Sequence, residues 1–185
     1  MYKIMDENLA GLARASFMEC VRNYNDLDDE VKELIKAANW VRKYAHVPYS
    51  NFKVGAAFRT KEGSIYTGCN VENAAFSPSI CAERNAICKA VSDGFKEFTN
   101  AAVVAYQEKV LTPPCGVCRQ SIMEFAKEDI IIYITRATDY VEQLAEQNGP
   151  VLCTSIYNLL PYGFRNYQDN QTKPIIDDVY NLNLP

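Results

Sequence analysis

Val31, Leu34, Ile35, Ala38 and Val41 fall on one face at the three- and four-residue spacing of an α-helix. Asp28, Asp29 and Glu30 stand before them, which puts negative charge at the positive end of that helix. Val47-Pro48 closes it, because the residue before a proline avoids helical backbone. The period then changes. Phe52, Val54, Ala56 and Phe58 alternate with Lys53, Gly55, Ala57 and Arg59, as in a strand; KEGS turns the chain and IYTGCNV returns, which predicts a hairpin. Residues 73–79 read as a loop punctuated by Pro78, and ICAERNAICKAVSDG as a helix that stops at Gly94. NAAVVAY and DIIIYIT are apolar runs suited to buried strands. Between them, Cys118, Ile122, Phe125 and Ala126 share one face of a helix over 115–127. DYVEQLAEQNG fits either a short helix or a loop; VLCTSI is a weaker last strand, and YNLLPYGF opens with a helical turn.

An antiparallel pair followed by alternating helices and strands implies an α/β fold, with a mixed sheet covered by helices. Residues 1–27 are weakly patterned and read as an N-terminal extension, helical in part (LAGLARASFMECVRNY). Residues 28–165 form the expected domain, and 166–185, rich in Asn, Asp and Pro, a tail. There is no internal repeat and no linker.

A length of 185 residues suits one domain, and 48% hydrophobic content suffices for its core. Nineteen basic residues against 23 acidic ones give a net charge of −4, and no Lys/Arg run is present, which argues against a nucleic-acid partner. No apolar run approaches the ~20 residues of a membrane helix. The first residues, MYKIMDENLAGLARASF, lack a long apolar core and carry Asp6 and Glu7, a poor match to a secretory signal or transit peptide. A soluble, cytoplasmic protein is expected.

That expectation changes how the seven cysteines are read, since buried thiols or metal ligands then fit better than disulfides. His46 is the only histidine, so a transition-metal site must rely on sulfur or carboxylate. Cys115 and Cys118 form C-x-x-C behind Pro113-Pro114, at an expected helix start that favours thiolates. The spacing is ordinary for zinc, and a redox pair fits the same letters. Cys81 supplies a third sulfur at another helix start. Three ligands leave a fourth zinc position open, as in catalytic sites; a closed structural site would need another ligand, for which Cys69 is the main candidate. Glu83, two residues after Cys81, suits a general base beside metal-bound water. Arg84 can donate to the thiolates and draw off part of their charge.

These residues resemble a family. Cys81-Ala82-Glu83 with Pro114-Cys115-Gly116-Val117-Cys118 matches the signature of the zinc-dependent nucleobase deaminases. PYSNFKVGAA, GCNVENAAFSPSICAERNAI, PCGVCRQ and LLPYGF, in that order, resemble the short, homotetrameric cytidine deaminases from about Asp28 to Phe164. The resemblance implies a three-layer α-β-α sandwich with a mixed five-stranded sheet. It implies one Zn²⁺ per subunit on Cys81, Cys115 and Cys118, with Glu83 as proton shuttle in the hydrolytic deamination of cytidine and deoxycytidine for pyrimidine salvage. It further implies ribose binding by Asn70 and Glu72, an aromatic contact from Phe52 and a backbone contact from Ala82. Phe164 is implied to enter a neighbouring subunit's active site. A deaminase of another aminopyrimidine nucleoside, such as blasticidin S, and a non-catalytic zinc protein closed by Cys69 are the alternatives. The chain departs from the short form at both ends and in a longer stretch over 136–150.

Overall fold

Neighbouring residues of the central strand enter two different cores. In β4 (Phe98–Ala105), Ala101 and Val103 pack into one, while Ala102 and Val104 pack into the other. A strand buried on both faces reads as a continuous apolar run, as NAAVVAY does. The computed structural model describes residues 17–164.

Six strands form one sheet in the order β1 (Cys20–Asn23), β6 (Pro150–Ser155), β5 (Ile131–Arg136), β4, β2 (Val54–Thr60), β3 (Ile65–Cys69). β4 and β5 run parallel, and every other neighbouring pair is antiparallel. α1 (Asp29–Val41) packs on one face through Leu34, Ile35 and Ala38; α4 (Gln143–Gln147) joins it there through Leu144. α2 (Ala82–Ser92) and α3 (Gly116–Glu124) cover the other face through Ala86, Ala90, Ile122 and Met123, with Ile156 of α5 (Ile156–Leu159). The three-layer sandwich expected from the sequence is present.

The expected sheet of five strands is corrected to six. The added strand, β1, comes from the extension over 1–27, where helix was expected in part. Its four residues are all exposed and pair with β6 through backbone, Cys20 opposite Cys153. With neither face buried, CVRN carries no hydrophobic alternation. Tyr24 and Leu27, which follow β1, are buried in the α1-side core. Residues 1–16 of the extension and the tail over 166–185 lie outside the described residues.

Two glycines let helices lie directly on the hairpin. A Cβ at Gly55 would overlap the Ala38 carbonyl oxygen of α1, and one at Gly68 would overlap the Ala82 oxygen and Ala86 nitrogen of α2. Only a residue without a side chain permits that approach. Gly68 thereby seats the first turn of α2.

Candidate active site

Cys81 and Cys115 are the N-cap residues of α2 and α3, both in extended backbone, and Cys118 lies in the first turn of α3. The start of α2 is held by a backbone bridge in which Ile80 and Val71 each donate an N–H to the other's carbonyl at 2.9 Å. The start of α3 is held by Arg119, whose Nε donates to the Pro114 carbonyl at 2.8 Å and whose Nη1 donates to Leu159 at 3.0 Å.

The three sulfurs lie within 4.8 Å of one another, with Cys81 and Cys115 Sγ 3.9 Å apart. A tetrahedral ion with Zn–S bonds near 2.3 Å separates its sulfurs by about 3.8 Å. All three cysteines are free thiols. Hydrogen bonding from Cys118 lowers the Cys81 thiol to about 5, against its burial, with Arg84 and Cys115 assisting. Cys118 moves the opposite way, because it donates to Cys81 and is itself buried. Soft, closely grouped sulfurs beside a cation and two helix N-termini are a donor set that fits zinc.

Among the described residues, no fourth Cys, His, Asp or Glu joins this group. Cys69, the candidate for closing it, stands apart, and its carbonyl accepts from Asn85 Nδ2 at 3.1 Å. Cys88 is exposed further along α2.

Glu83 is 4% exposed, deep in the first turn of α2. Burial raises its carboxyl above the usual range, and the Cys81 charge adds to that rise; hydrogen bonding from its own backbone and from Cys118, with the charge of Arg84, acts against it. Arg84 Nη2 donates to the Ser79 carbonyl at 3.2 Å and reaches Cys81 Sγ at 4.0 Å. The arginine therefore faces the sulfur side of the cluster. Ala82 is fully buried beside them.

Asn70 and Glu72 flank Val71 and hold the segment 49–54. Asn70 Oδ1 accepts from Val54 N at 2.8 Å, and Nδ2 donates to the Phe52 carbonyl at 2.8 Å. Glu72 Oε2 accepts from the backbone N–H groups of Tyr49 at 3.0 Å and Ser50 at 3.2 Å, while the Ser50 hydroxyl donates to Oε1. Phe52 is half-buried just before β2 and lines a cavity with Lys53 and Arg136. Phe164 is 76% exposed, its carbonyl accepting from Gln120 Nε2 at 2.7 Å. Sequence reasoning gave no role to Ser50 or Arg119. Both lie inside motifs it singled out, but their work is backbone capture, which leaves no mark in residue spacing.

The model of the cytidine and deoxycytidylate deaminase zinc-binding region matches residues 28–134. The chain belongs to this deaminase family. A cytidine deaminase of Sporosarcina psychrophila is 43% identical over 135 residues, which cover 73% of this chain and 91% of that protein. A probable cytidine deaminase of Dictyostelium discoideum is 44% identical over 103 residues, covering 56% of this chain and 70% of its own length. The crystal structure of cytidine deaminase from Burkholderia pseudomallei superposes with a TM-score of 0.63 at 37% identity, covering 75% of this chain and all of that one. The cofactor of this deaminase is zinc, and its three-sulfur cluster is suited to hold it. The matched region starts at Asp28, one residue before α1, and so leaves β1 outside it. Among the described residues, no helix of this deaminase is long and apolar enough to cross a membrane.

Proposed function

We propose that this chain hydrolyses the C4 amine of cytidine and deoxycytidine, giving uridine or deoxyuridine and ammonia, with Glu83 as the group that moves the protons. One observation carries the reading: a buried carboxyl beside a cluster of three sulfurs that no fourth side chain joins among the described residues.

Cys81, Cys115 and Cys118 would hold zinc, which when bound would supply Lewis acidity to make water a better nucleophile. The Glu83 carboxylate accepts a proton from the attacking water and passes it to the pyrimidine N3. A second transfer through the same carboxyl carries the other water proton to the departing amine. A C4–O bond replaces C4–N, and the balance is cytidine plus water to uridine plus ammonia. A shuttle works best when its pKa is drawn toward the working pH, which is the direction that burial gives Glu83. Arg84 draws charge from the Cys81 sulfur and so offsets the electron donation of three thiolates.

Asn70 and Glu72 bind the ribose in this reading. Each keeps acceptor capacity beyond the bonds it makes to segment 49–54. Phe52 flanks the base, and Ala82 orients it through its backbone. The domain spans 28–165, with the N-terminal extension attached to it through β1. The working unit is a homotetramer, in which Phe164 enters a neighbour's site. Exposed Phe76, Tyr162 and Phe164, together with an apolar groove of about 490 Å³ between α2 and α3, support burial of these surfaces by other copies.

The test follows cytidine, deoxycytidine, blasticidin S and adenosine by absorbance and ammonia release. Turnover of the first two with the zinc-loaded protein is expected. Turnover of blasticidin S alone, or of none of them, would overturn the reading.

A further inference from the structure

A group of positive charges lies on the α1 side of the sheet. There the end of β5, the end of α1 and the segment before β2 enclose a cavity of about 690 Å³ with the stretch over 137–147. Arg42, Lys53 and Arg136 bring three cations to it, and Asp139 is its sole acid. None of the four takes part in an ion pair among the described residues. The Nε atoms of Arg42 and Arg136 are both buried with no acceptor. Arg42 Nη2 reaches only the Thr138 carbonyl, at 3.3 Å. Burial pulls the Arg42 guanidinium below its usual value, with Asp139 opposing that pull. Lys53 Nζ donates to the Lys43 carbonyl at 3.2 Å, so the unsatisfied donors are those of the two arginines. Buried cationic donors without an acceptor carry a desolvation cost that a multivalent anion relieves.

Size and walls narrow the anion. The volume falls in the ~300–1,000 Å³ range of small-ligand sites. Guanidinium groups present donors in the fork that phosphate oxygens accept. Tyr106, 57% exposed, adds an aromatic face on which a planar base can stack.

We infer that this cavity is a second binding site, distinct from the three-sulfur cluster, for a phosphate-bearing ligand of nucleotide size. The phosphates meet Arg42, Lys53 and Arg136, and the base lies against Tyr106. Phe52 lines this cavity and also flanks the base in the proposed active site, but the cations are separate from Glu83 and the zinc ligands, so the site does not depend on the deaminase reading.

The test is calorimetric titration of the zinc-loaded protein with sodium tripolyphosphate and, separately, with ATP, whose purine keeps it apart from the pyrimidine reaction. Saturable binding that weakens with added salt is expected for both, and tighter binding of ATP identifies a nucleotide rather than free polyphosphate. Lys53→Gln should weaken both ligands about tenfold and Asp139→Asn should tighten both severalfold, with cytidine turnover unchanged in Asp139→Asn. Both substitutions lie at the wall, so folding is preserved, and circular dichroism checks it. Absence of saturation up to about 10 mM for both ligands, or affinities that ignore both substitutions, overturns the proposal.

Discussion

Cys81 and Cys115 cap two different helices, yet their sulfurs stand 3.9 Å apart. The meeting point depends on where each helix begins, and therefore on the bridge between Val71 and Ile80 and on the grip of Arg119. Zinc content by mass spectrometry is the first check. Cys81→Ser, Cys115→Ser and Cys118→Ser should each lose most of the metal, whereas Cys69→Ser and Cys88→Ser should retain it. Zinc loss in Cys69→Ser would mean a closed, structural centre.

Glu83→Gln keeps the size and burial of the side chain but removes the proton acceptor. Zinc content should stay at the wild-type level while kcat falls by at least the ~10²–10⁴-fold ascribed to a positioned acid–base group. Normal turnover in that variant would remove Glu83 from the mechanism.

Metal binding should release fewer than three protons at pH 7. Cys81 sits near 5 before the metal arrives, so its sulfur is already a thiolate and has no proton to displace. Cys118, pushed the other way, must give one up. Calorimetry in buffers of different ionisation enthalpy counts the protons.

Glu72 offers a test in acid. The Ser50 hydroxyl chiefly, and the Ser50 and Tyr49 backbone, hold its carboxyl below the ordinary 4.5. A depressed folded-state pKa means that its support for segment 49–54 is complete above about pH 4.5 and is lost only as pH falls through the lower value. The KM for cytidine should thus show no Glu72-linked change between pH 5 and 7. Glu72→Gln should raise KM more than it lowers kcat, and equal loss in both would argue against a ribose contact.

Gly68→Ala places a methyl group against the backbone of α2. Overpacking of this kind costs about 1–3 kcal/mol, which lowers Tm by roughly 2–4 °C per kcal/mol in a chain of this size. Differential scanning calorimetry reads the shift. Zinc affinity should fall with it, since the displaced turn carries Cys81.

Much of this was legible from residue order because the sequence pattern and the burial coincide. The apolar face of α1 named from spacing is the face that is buried, with Asn39 as a polar addition held to Thr138. Gly94, read as the end of α2, adopts φ +93 just beyond it. The three cysteines were legible because metal chemistry restricts the usable residue types and spacings. The sixth strand was not, since Cys20–Asn23 buries no face and owes its place to backbone pairing alone. The short helix α4 also gave an ambiguous pattern, as Leu144 is its one buried side chain. Nor could spacing reveal that Asn70 and Glu72 bind segment 49–54, because those bonds run to backbone atoms whose position the fold alone decides.

β1 has a further effect on how the protein behaves in a crowded solution. A sheet border with free N–H and C=O groups invites strands from other molecules, and β6 would be such a border if the first strand were trimmed away. By occupying that position with four residues, one of them Arg22, the chain keeps its own border short and charged. Among the described residues, the cover of that sheet border is thus supplied from upstream of the segment that carries the chemistry.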